Sequence, residues 1–123
     1  MYPFKYLLLP LLWCFSCGPG PASEAASEPL YEARDFTPEG EFTSGIEGPA
    51  TAADGSLYVV NYGEKGTIGV VTPAGKSSLF VRLPEGSTGN GIRLDAGGNL
   101  LVADYTGHNV LKVDAATKAV TVY

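Results

Sequence analysis

Residues 47–62, EGPATAADGSLYVVNY, and residues 90–105, NGIRLDAGGNLLVADY, can be written one above the other without a gap. Gly48 then falls on Gly91, Gly55 on Gly98, Leu57 on Leu100, Val59 on Val102 and Tyr62 on Tyr105, all at an offset of 43 residues. Further on, TIGV (67–70) falls on VLKV (110–113). A fixed period in the low forties, made of several short strands, is the mark of β-propeller blades, which bury their apolar faces only by stacking on one another.

Each unit divides into four strands. The first reads PATAA, LYVVN, GTIGVV and SSLFVR, joined by DG, YGEK and TPAGK; the second reads GIRLD, LLVAD, NVLKVD and AVTVY. Aspartate-glycine and proline-alanine-glycine supply the positive φ that hairpin turns need. No window carries a helical period, so the fold class is all-β. Upstream, LYEARDF (30–36) is expected to add a strand. Two units cannot close a ring. The chain therefore reads as the N-terminal portion of a longer propeller, with blade units at 46–88 and 89–123. A complete, self-assembling domain is the alternative. In either case the faces carrying Leu57, Val59, Leu100 and Val102 are expected to lie open.

The first 29 residues read differently. MYPFKYLLLPLLWCFSC has one cation, Lys5, ahead of an apolar run too short to span a bilayer, as in an export signal over residues 1–17. Cys17 follows a small residue, Ser16, and resembles the modified cysteine of a bacterial lipoprotein, although Cys14 stands where that motif carries leucine. Lipidation of Cys17, plain cleavage and an uncleaved anchor are the three outcomes such a segment allows. Residues 18–29 are rich in Pro, Gly, Ala, Ser and Glu and read as a flexible tether. The expected location is periplasmic or cell-surface. Both cysteines of the 123-residue chain fall in the signal, which leaves residues 30–123 without thiol chemistry. A net charge of −5 and the lack of a basic stripe exclude nucleic acid as a partner and confine membrane attachment to the lipid anchor.

The stretches IEGPATAADGSLYVVNYGEKGTIGVV and GNGIRLDAGGNLLVADYTGHNVLKVD resemble the senescence-marker-protein/gluconolactonase/luciferin-regenerating-enzyme family. The resemblance covers about residues 42–123. It implies about two blades of a six-bladed propeller and a divalent metal, usually calcium, in the central channel. Among the implied ligands are the glutamate of the EGP element, here Glu47, and asparagines, which Asn90 resembles. The remaining ligands and the general base would lie on later blades. The GNLLVAD element is shared with NHL-repeat and strictosidine-synthase-like propellers.

The spacing reaches the same pair by another route. Glu47 and Asn90 stand 43 residues apart, at equivalent blade starts, and propeller symmetry points equivalent positions at one axis. A carboxylate and a carboxamide oxygen are hard donors, suited to calcium or magnesium. The competing reading makes both of them turn residues. His108, in the turn YTGH, is expected to face solvent. Asn61 and Asp104, also 43 apart, are expected to brace the turns that follow them, and Asp54 and Asp95 to form turns. The resulting expectation is a metal-dependent hydrolase acting on a small lactone or ester. Its rival is a non-enzymatic binding or scaffold propeller of NHL type.

Overall fold

A computed structural model of the chain describes residues 30–123, of which 33–123 form one compact unit. The expected export signal, the expected tether and Cys17 lie outside the described residues. Within them the fold is all-β, two four-stranded antiparallel sheets with no helix. Sheet 1 comprises β1 (Ala50–Thr51), β2 (Leu57–Val60), β3 (Thr67–Val71) and β4 (Ser77–Arg82), side by side in chain order. Sheet 2 repeats the order with β5 (Gly89–Leu94), β6 (Leu100–Asp104), β7 (Asn109–Val113) and β8 (Val120–Val122). The turns form as their chemistry dictates. Asp54 accepts from the Ser56 N–H at 2.9 Å, and Asp95 accepts from the N–H groups of Gly97 and Asn99 at 2.9 Å each.

The register modifies the repeat. Val59 pairs with Gly69, whereas its equivalent Val102 pairs with Leu111. In the third strand the offset is therefore 42, not 43, and Thr67–Val71 corresponds to Asn109–Val113; in the fourth, where Ser77 pairs with Val71 and Val120 with Val113, it is 43 again. The connection after Tyr62 holds one residue more than the one after Tyr105, and strand pairing absorbs it at the loop.

The core lies between the sheets. Val60, Ile68 and Val81 of sheet 1 meet Ile92, Leu100, Val102, Leu111 and Val113 of sheet 2, with Leu83 closing one side. Gly89 sits where the packing is tightest, since a Cβ there would lie 2.9 Å from Val60 and 3.2 Å from Val102. At the margin, Phe80, left unpaired by a bulge in β4, meets Tyr58 edge-on and carries the Lys118 ammonium 3.6 Å from its ring centre. The expected open faces are thereby corrected. Leu100 and Val102 are fully buried because sheet 1 covers them, and Val59 is buried beneath the segment that precedes β1. That segment forms no strand over residues 30–36, where the charges at 32, 34 and 35 leave no alternating apolar face to bury. The segment is held instead by the bridge of Phe42 to Tyr62, with the two rings edge-to-face at 5.4 Å above Gly69, and by hydrogen bonds such as that from the Gly63 N–H to the Glu41 carbonyl at 2.8 Å.

The two sheets stack head to tail. Strand pairing puts Tyr58, Val60 and Ile68 on the face of sheet 1 that meets sheet 2. Their equivalents Leu101, Ala103 and Val110 lie on the outer face of sheet 2, where Val110 is 44% exposed. The inner face of sheet 2, in turn, repeats the back of sheet 1. Such a contact joins unlike faces and can be repeated by a further sheet.

Candidate functional site

Where β1 begins, Gly48 has a φ of 32° and its carbonyl accepts the Ile92 N–H at 2.9 Å. A Cβ at Gly48 would lie 2.7 Å from the Gly91 Cα. Glycine is required there by conformation and by the close approach of two backbones. The residues before these glycines, Glu47 and Asn90, are therefore brought to the same end of the two sheets. Asn90 is the extra residue of a bulge in β5, since Gly89 pairs with Asp104 and Gly91 with Ala103. Bulges of this kind re-aim a side chain beside a site.

Glu47 and Asn90 are both exposed, and both line one open cavity of about 540 Å³. Asn61, Lys65, Thr88 and Tyr105 complete much of its wall. Tyr105 is 69% exposed, whereas its equivalent Tyr62 is held under Phe42. Among the described residues no group of three His, Cys, Asp or Glu side chains is gathered to hold a metal. The cavity is bordered by one carboxylate, Glu47, two carboxamides, Asn61 and Asn90, and the hydroxyl-bearing residues Ser44, Thr88, Tyr105 and Thr106. His108 lies in its turn, exposed, with a φ of 54°.

Asn61 and Asp104, equivalent in sequence, are wired differently. Asp104 is 4% exposed and accepts from Ser87 Oγ at 2.7 Å, the Thr88 N–H at 3.0 Å and the Gly107 N–H at 3.1 Å. Burial pushes its carboxyl up, but the hydrogen bonds from Ser87, Gly107, Thr88 and Thr106 together hold it below the ordinary value. Asn61 is 2% exposed, in a left-handed conformation with a φ of 64° that asparagine tolerates. Its Nδ2 donates to the Gly45 carbonyl at 3.0 Å, and its own carbonyl accepts the Thr43 N–H at 3.0 Å. Its Oδ1 is buried without a hydrogen-bond partner. Such an unmet acceptor costs about 1–3 kcal/mol.

Sequence reasoning treated Asn61 only as a brace for a turn. The signal that could have singled it out was the amide standing where the other unit has a carboxylate. Lys65 carried no signal, and Tyr105 stood out only as the repeat partner of Tyr62, which did not tell that one would border the cavity and the other lie under Phe42. A second cleft, of about 560 Å³, lies where the N-terminal segment crosses sheet 1, lined by residues such as Phe36, Glu41, Lys76 and Ser77. It collects no repeat-equivalent pair. No protein-family model matches this chain, and no curated protein sequence matches it.

Proposed function

We propose that residues 46–88 and 89–123 are two blades of a β-propeller, about two of six, and that the whole ring is a metal-dependent hydrolase of small lactones or esters. The observation that carries the reading is the meeting of two repeat-equivalent oxygen donors, Glu47 and Asn90, at one cavity. The head-to-tail stacking supports the propeller, because a contact between unlike faces is the kind a ring repeats. The donor chemistry fits a hard cation such as calcium, which takes six to eight oxygens and so draws further donors from other blades. Glu47 would hold it with charge and Asn90 with a neutral oxygen. When bound, the cation supplies Lewis-acid polarisation of the ester carbonyl and stabilisation of the oxyanion. Within this chain, the Gly48–Gly91 contact fixes the two donors relative to each other.

The test is Glu47→Gln in the protein carrying the full ring. Losing the charge is expected to weaken calcium binding at least about tenfold, roughly 1.4 kcal/mol, with lactone hydrolysis falling alongside. Wild-type calcium affinity in that variant, measured by calorimetry, would remove the reading's main support.

The non-enzymatic alternative draws on the same cavity, where Glu47 is the single acid among the lining residues. A binding or scaffold propeller of NHL type needs no acid at that position, and its Glu47→Gln form would lose nothing. We also propose export with a lipid anchor at Cys17. Labelled fatty acid should enter the protein in a bacterial host and be lost in Cys17→Ala; unchanged labelling in that variant would exclude the anchor.

A further inference from the structure

We infer that Asn61 is a third oxygen donor of the site at Glu47 and Asn90, meeting a divalent cation through its Oδ1. The inference rests on the metal reading above. Three observations lead to it. Asn61 lines the same cavity as Glu47 and Asn90, and its Oδ1 is buried with no hydrogen-bond partner. The amide cannot be turned over to satisfy that oxygen, because the Gly45 carbonyl, an acceptor, requires the nitrogen to face it at 3.0 Å. The unmet acceptor is also not a property of the position, since the equivalent Asp104 has its oxygens met by Ser87, Thr88 and Gly107. The first unit keeps an oxygen in reserve where the second has spent both.

A water could also satisfy one oxygen, but it would not account for a carboxylate and a second carboxamide lining the same cavity. A cation accounts for all three donors. Lys65, which also borders the cavity, is exposed and can carry its ammonium out into solvent on a flexible stem. The hydrogen bond to Gly45 gives Asn61 a second role. It ties the 43–47 segment to the end of β2, so a cation drawing on Oδ1 would order the stretch that presents Glu47.

The experiment is a calcium titration of the protein carrying the full ring, followed by calorimetry and by the calcium-dependent rise in thermal midpoint, for the wild type, Asn61→Ala, Asn61→Asp and Glu47→Gln. Without calcium, Asn61→Asp should be less stable than wild type, because a carboxylate then faces the Gly45 carbonyl. With calcium it should recover and bind about tenfold tighter than wild type, since a charged donor replaces a neutral one. Asn61→Ala should bind about tenfold more weakly. If Asn61→Asp behaves like Asn61→Ala while Glu47→Gln still loses affinity, Asn61 is only a brace and this inference fails alone. If Glu47→Gln keeps wild-type affinity, or if neither the wild type nor Asn61→Asp responds to calcium, the inference fails together with the metal reading.

Discussion

Asp104 shows how one side chain can hold a turn, a strand end and a loop together. Its carboxylate collects Ser87 and Thr88 from the approach to β5 and Gly107 from the turn after β6. Asp104→Ala leaves the half-buried Ser87 and Thr88 donors without their acceptor, at about 1–3 kcal/mol each, while the exposed Gly107 N–H turns to water, and should cost at least about 2 kcal/mol in urea unfolding. Asp104→Asn keeps the shape and gives up the charge, and about 1 kcal/mol is expected. The native carboxyl titrates below its unfolded value, so its contribution is present above the ordinary carboxylate range and is lost as pH falls through the native pKa. Asp95, held low by Asn99 and by the Lys112 ammonium at 3.0 Å, acts in the same direction. Stability should therefore fall below about pH 4, and less steeply in Asp104→Asn. A wild-type midpoint that stays flat from pH 6 to pH 3 would contradict this.

The strands were legible because each carries its own pattern and ends in its own turn. Leu100, Val102, Leu111 and Val113 alternate with polar or outward residues, and Asp95-Ala96-Gly97-Gly98 can do little except turn. Which face is covered was less legible, because alternation fixes two faces without saying which one meets a neighbour. Leu100 and Val102 were expected open on that account, whereas the open residues prove to be Leu101, Ala103 and Val110. At the candidate site, the spacing foretold that Glu47 and Asn90 share a position. It could not foretell the bulge that displaces Asn90 or the spare oxygen of Asn61, which depend on contacts between units. At this scale the sharpest prediction concerns Gly48. Gly48→Ala brings a methyl against the Gly91 backbone at a strained φ and should cost at least about 1–3 kcal/mol. Gly91→Ala meets nothing within 4 Å and should be milder. Equal losses in thermal unfolding would show that the close contact does not matter.

For the described residues as a whole, both outward sheet faces keep exposed apolar side chains. Phe42 and its neighbours cover Gly69 and Val59 on the back of sheet 1 but leave Leu79 of the same face 43% exposed, and the outer face of sheet 2 presents Leu101 and Val110, the latter 44% exposed. An apolar sheet face of this kind associates. The 123-residue chain should sediment with a weight that rises with concentration in the micromolar range. Val110→Lys should suppress that rise with little change in thermal midpoint, because the side chain already faces water. A strict monomer in both forms would mean that the open face is not sticky.

The covering of sheet 1 by residues upstream of it also bears on how the protein is born. During synthesis the segment around Phe42 leaves the ribosome before the strand surface it protects, so a shield is waiting when Val59 and Val71 emerge. Sheet 2 then arrives on the other face of sheet 1, where Tyr58, Val60 and Ile68 are already paired across β2 and β3. The order of the chain thus doubles as an order of assembly, each layer delivered by the ribosome after the one it packs on.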